Sequence, residues 1–76
     1  MRNIDLSVNC VLLEQSILNR YPLILVECEE QIDFNLVRLR FKPDSTVKTV
    51  RITLQDYLDG EWESKVEAAI RELYLL

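Results

Sequence analysis

The side chains that could do chemistry here are few, and their spacing supports none. The 76-residue chain contains no histidine, which removes the commonest general base and the commonest metal ligand together. Ser7, Ser16, Ser45 and Ser64 therefore have no imidazole to activate them, and none sits in a nucleophile-elbow context. Cys10 and Cys28 cannot supply the four ligands of a structural zinc site, and the carboxylates that would have to help show no ligand spacing. Cys28 stands in Glu27-Cys28-Glu29-Glu30, where flanking acids favour the unreactive thiol over the thiolate. Glu29, Glu30 and Asp33 are hard-cation ligands by type, but no calcium-loop spacing surrounds them and a polar turn explains them equally well. Phosphate-cradling loops need glycines, and Gly60 is the single one. The expectation is a protein without catalysis, metal or cofactor.

The two cysteines admit two readings. A single disulfide is possible in a secreted chain. Against it, no long uncharged run follows the opening residues as a signal peptide would require. The longest apolar stretch, residues 23–26, is far too short to cross a bilayer. The sequence is accordingly read as cytoplasmic, with Cys10 and Cys28 reduced and packed as small hydrophobes.

Charge is more informative than nucleophiles. Thirteen acids and nine bases leave a formal charge of −4. Residues 1–54 balance seven acids with seven bases, so the whole excess lies in residues 55–76, where six acids face two bases. Asp56, Asp59, Glu61, Glu63 and Glu67 form an acidic strip suited to a basic partner, or simply a solvated helix face.

These side chains must be positioned by elements read from periodicity. Residues 7–20 fit a helix capped by Ser7, with Val8, Val11, Leu12, Leu13, Ile17 and Leu18 on a broad apolar side. A strand over residues 4–13 competes with it, because β-branched residues cluster there. Pro22 ends the helix. Residues 23–29, 34–42 and 47–54 alternate as strands, and Pro43-Asp44-Ser45-Thr46 joins the last two as a turn. A four-residue loop there pairs Lys42 with Val47, Leu39 with Val50 and Val37 with Ile52, putting the apolar sets on one face. Thr53-Leu54-Gln55-Asp56 has the spacing of a capping box and opens a short turn broken at Asp59-Gly60. From Glu61 onward Trp62, Val66, Ala69, Ile70 and Leu73 recur at helical spacing, and Glu61–Lys65 and Glu67–Arg71 are favourable i,i+4 pairs. The expected architecture is one α+β domain over residues 1–76. Its order is α-β-β-β-α, a three-stranded antiparallel meander with helices on one face.

That register turns Leu23, Leu25, Phe34, Leu36 and Val47 outward beside Arg38, Arg40, Lys42 and Arg51. It also sets Arg38 directly opposite Arg51, an unfavourable like-charge pair that Glu27 would offset if it faced Arg38. Leu23, Leu25, Leu36, Arg38, Arg40 and Arg51 thus form a second candidate surface, apolar anchors beside arginines, as protein interfaces carry. Residues 2–6, as an added strand or a crossing segment, would cover it.

The element order resembles that of double-stranded RNA-binding domains. Those domains open their last helix with basic residues that contact phosphate, whereas Asp59-Gly60-Glu61-Trp62-Glu63 would repel it. The likeness stops at topology. The functional expectation is a small acidic protein that binds another protein, such as an accessory or inhibitory protein of the kind phages and mobile elements encode. Its target would be a host protein, including one that itself binds nucleic acid. A homodimer formed through the sheet face is one alternative, and an anion or nucleic-acid binder through the basic face is another. No membrane partner is expected.

Overall fold

The computed structural model describes residues 7–75. Its elements are α1 (Cys10–Arg20), β1 (Leu25–Glu30), β2 (Asn35–Arg40), β3 (Lys48–Ile52), α2 (Leu54–Asp59) and α3 (Glu61–Tyr74). The α-β-β-β-α order stands, with the final helical region divided at Gly60. That glycine, at φ 81°, is both the left-handed cap that ends α2 and the residue from which α3 departs. A left-handed backbone is cheap only without a Cβ, so the one glycine of the chain sits where the bend needs it.

α1 begins later than residues 7–20 imply. Asn9, not Ser7, is the cap: its Oδ1 accepts from the N–H groups of Val11 at 2.8 Å and Leu12 at 3.4 Å. The broad apolar side also narrows. Leu13 and Ile17 are buried, whereas Val11, Leu12 and Leu18 are exposed and Val8 is buried just before the helix. Tyr21 N–H closes the last turn on the Ile17 carbonyl at 2.8 Å, and Pro22 follows. Thr53 and Asp56 form the expected capping box, each side chain accepting the other's backbone N–H at 3.0 Å.

The strands form one antiparallel sheet in the order β1-β2-β3. Glu27 lies opposite Arg38, as the charge argument requires. The β2–β3 register differs by two residues from the expected one: Val37 pairs with Val50, Leu39 with Lys48 and Asn35 with Ile52. Arg38 therefore faces Thr49, and Arg51 faces Leu36, so the Arg38–Arg51 clash does not arise. The cause is the loop, which spans residues 41–47 rather than 43–46. Ser45 closes it on Lys42 three ways: N–H to carbonyl at 3.0 Å, Oγ to the same carbonyl at 2.9 Å, and Lys42 N–H to Oγ at 3.0 Å. A two-residue shift leaves the inward and outward sets unchanged, which is why the alternation survives.

All three strands turn the same face toward the helices. Val37, Leu39, Val50 and Ile52 pack with Leu13 and Ile17 of α1 and Val66, Ala69, Ile70 and Leu73 of α3. α1 lies over β1, and α3 over β3 and β2. Each fully buried aliphatic side chain in that layer contributes about 1.5–3 kcal/mol relative to exposure.

Two features of the α1–sheet junction depart from the sequence reading. Cys10 and Cys28 are joined by a disulfide, with Cα atoms 5.6 Å apart, so they are not the reduced thiols expected. The bridge ties the first residue of α1 to the inward side of β1. Next to it, Asn35 is fully buried and behaves as a short strand partner. Its Oδ1 accepts from Val8 N–H at 2.6 Å and its Nδ2 donates to Val8 carbonyl at 2.7 Å. The proposed strand or crossing segment at residues 2–6 lies outside the described residues.

Candidate interaction surface

None of α1, α2 or α3 covers the outer side of the sheet. Alternation places Leu25, Glu27 and Glu29 of β1 there, with Leu36, Arg38 and Arg40 of β2 and Thr49 and Arg51 of β3. The charges run in columns. β1 carries the carboxylates, β2 two guanidiniums, and β3 a third. Arg40 is committed to structure: its Nη2 meets Glu27 Oε1 at 2.6 Å and its Nη1 donates to the Pro43 carbonyl at 3.0 Å, tying the 41–47 loop to the sheet. Its Nε is buried without a partner among the described residues. Arg51 lies over the Phe34 ring, 4.0 Å from its centroid, in a cation–π contact. Arg38 has neither an ion pair nor a ring contact among the described residues. Of the three arginines it alone is uncommitted among the described residues.

Five of the six residues expected on this face are there. Leu23 is not: it is 85% exposed in the turn closed by Ile24 N–H on the Tyr21 carbonyl, before β1 begins. Leu25 is 40% exposed at one corner, and Leu36 is half-buried between Glu29 and Arg51.

The acidic strip fares differently, because the fold brings cations to it. Asp56 meets Lys65 Nζ at 2.6 Å, Glu63 meets Arg20 at 2.7 Å, Glu72 meets Lys48 at 2.7 Å and Glu67 meets Arg71 at 3.4 Å. Lys65 thus pairs with Asp56 rather than with Glu61. The Lys65 ammonium and the Thr53 backbone N–H hold the Asp56 carboxyl below the usual aspartate range, outweighing its partial burial. Among the described residues, Asp59 and Glu61 alone of the strip lack a cation, and Asp59 accepts from Gln55 Nε2 at 2.9 Å. Asp56, Glu63 and Glu67 are engaged with their own chain.

The surface hollows offer little chemistry. One of about 410 Å³ is lined by Asp33, Thr53, Leu54, Gln55 and Leu58, and another of about 420 Å³ runs between β3 and α3 past Lys48, Lys65 and Glu72. Neither pairs a nucleophile with a base. Among the described residues no three His, Cys, Asp or Glu side chains gather as metal ligands would. Glu30 accepts from Cys10 N–H at 3.3 Å and Glu29 from Gln31 at 2.7 Å, which occupies two of the three acids around that turn. No helix of the described residues is long and apolar enough to cross a membrane.

Asn35 is what residue-level reading passed over, and the Cys10–Cys28 bridge is the alternative it weighed and set aside. The signal for Asn35 was present: it falls at an inward position of the strand, in phase with Val37 and Leu39, and a buried amide at such a site needs a partner. No family model, curated protein or solved structure matches this chain.

Proposed function

We infer that this domain is a non-catalytic interaction module whose contact surface is the outer face of the sheet. The observation that carries the reading is the Arg38 guanidinium, free among the described residues, at the centre of a sheet face that none of α1, α2 and α3 covers. An exposed face with apolar side chains at its edge and an unengaged arginine in its middle has the make-up of a protein interface. The acidic strip supports it less, since three of its five carboxylates are held by cations of the same chain. Nucleic acid fits the face poorly, because Glu27 and Glu29 stand beside the arginines and repel phosphate.

An inhibitor that occupies a host protein is the biological form this reading takes. The bridge bears on the compartment. A reducing cytosol rarely maintains structural disulfides, so Cys10–Cys28 supports an oxidising setting over a cytoplasmic one.

The test is retention of a binding protein on immobilised domain, comparing wild type with L36E/R38E and with E61K/E63K. The reading expects L36E/R38E to abolish retention and E61K/E63K to leave it intact. The reverse pattern would transfer the function to the acidic strip. Turnover of any small molecule by the purified domain would end the non-catalytic reading.

A further inference from the structure

We propose that the outer sheet face binds a second copy of this chain in one particular two-fold arrangement, with Glu27 of each protomer meeting Arg38 of the other. The proposal rests on the interaction-face reading and names its occupant.

Symmetry leaves few choices. Two identical sheet faces that stack with their strands aligned are related by an axis lying between them, which runs either across the strands or along them. An axis across the strands sets β1 on β1, carboxylates against carboxylates. An axis along the strands beneath β2 sets that strand on itself, so that Arg38 and Arg40 face their own copies. An axis along the strands between β1 and β2 sets β1 of each protomer on β2 of the other. Only this last arrangement places opposite charges together without also stacking like ones, since the axis beneath β2 brings Glu29 onto the partner's Arg51 but leaves Arg38 and Arg40 on their own copies.

The rows then match. Glu27 and Arg38 stand opposite each other in the register, so they lie at the same height along the strands. A rotation about an axis parallel to the strands preserves that height, and Glu27 lands on Arg38 of the partner subunit twice over. Leu25 and Arg40 share the next row, where the leucine packs on the aliphatic stem of the partner's Arg40. On the other side Glu29 and Leu36 share a row, and the carboxylate lies at the rim. The contact satisfies the one outer arginine that the described residues leave free, and it covers Leu25 and Leu36. Arg51, committed to Phe34, stays outside the overlap.

Glu27 already holds Arg40 at 2.6 Å, but through one oxygen, and a carboxylate accepts from several donors. The association is therefore electrostatically guided and salt-sensitive, since screening shortens from about 10 Å at 0.1 M to about 3 Å at 1 M salt.

The charges can be exchanged to test this. Sedimentation equilibrium of the intact, oxidised chain should give twice the 9.0 kDa protomer mass at low salt, falling toward the protomer mass as salt rises. E27R and R38E should each be monomeric, because each places like charges at both reciprocal contacts. An equimolar mixture of E27R with R38E should recover the dimer mass in a 1:1 pair, since both contacts then join opposite charges. That recovery separates an intermolecular contact from a loss of folding, and circular dichroism of each variant alone checks the fold. A wild-type monomer at every concentration would overturn the proposal, as would a dimer that the single substitutions leave intact, or a mixture that stays monomeric. If wild type is monomeric while L36E/R38E still abolishes retention of a different protein, self-association fails and the interaction face stands. If neither effect appears, both fail.

Discussion

Asn35 shows how a single polar side chain can replace a strand. Its amide presents one acceptor and one donor to Val8, the same pair a neighbouring backbone would offer, and both contacts are buried. Removing it leaves two backbone groups without partners in a dry site, and each such group costs about 1–3 kcal/mol. N35A should therefore lose about 2–4 kcal/mol in a urea titration, well beyond what the lost side-chain volume explains. A loss no larger than that of an exposed substitution would show that water replaces the amide. Asp56 is the second residue whose chemistry has a measurable sign. Its carboxyl titrates below the ordinary aspartate value of 3.8, chiefly because Lys65 donates to the ionised form and the Thr53 N–H adds to it. A lowered folded-state pKa means the stabilisation is complete above the unfolded value and disappears as pH falls through the folded one. D56A should cost about 1 kcal/mol near neutral pH through the lost cap, and the gap to wild type should close below pH 3.8. A gap that persists unchanged in acid would assign the effect to packing instead.

At the scale of elements, the covalent tie between α1 and β1 has the largest expected effect. The bridge closes a separation of 18 residues, for which loop entropy in the unfolded chain gives about 3 kcal/mol. A dithiol reductant should lower the unfolding free energy by about that amount, and C10S/C28S should match the reduced protein. Equal stability with and without reductant would mean that the α1–β1 contact needs no tether. The bend at Gly60 is a smaller case with a cleaner cause. A Cβ there meets nothing within 4 Å, so the cost of G60A, about 1–2 kcal/mol, is conformational alone. G60N should cost less, because asparagine tolerates the left-handed region. These elements also mark how far the sequence could be read. Alternation in residues 34–42 and 47–54 identifies the inward residues, since Val37, Leu39, Val50 and Ile52 keep that face under any even shift. The same property hides the register, which Ser45 decides by folding back on Lys42. The outward set was legible for the same reason, apart from Leu23, which lies in a turn where alternation does not apply. The disulfide and the pairing of the acidic strip depend on distances between elements far apart in sequence, such as Arg20 to Glu63. Composition carries no such distance.

At the scale of the whole molecule, one layer of helices on one side of a three-stranded sheet makes stability strongly uneven. β2 is the middle strand, hydrogen-bonded on both edges, and its Val37 and Leu39 are fully buried. α2 is the opposite case: it buries no residue, and it is held by its capping box, the Gly60 bend, the Asp56–Lys65 pair and the stacked rings of Tyr57 and Trp62. Local opening free energies follow such differences, from near zero for exposed turns up to the global value for core strands. Native-state hydrogen exchange should therefore show the amides of Val37 and Leu39 exchanging only through global unfolding, with a denaturant dependence equal to that of the whole domain. The amides of α2 should exchange through a small local opening that hardly responds to denaturant. Because α2 and the outer sheet face lie on different parts of the molecule, occupation of that face should slow exchange little in α2. If α2 instead exchanged together with β2, the domain would open as a single cooperative unit. The ring stack and the capping box would then couple α2 to the core more tightly than its lack of buried side chains implies.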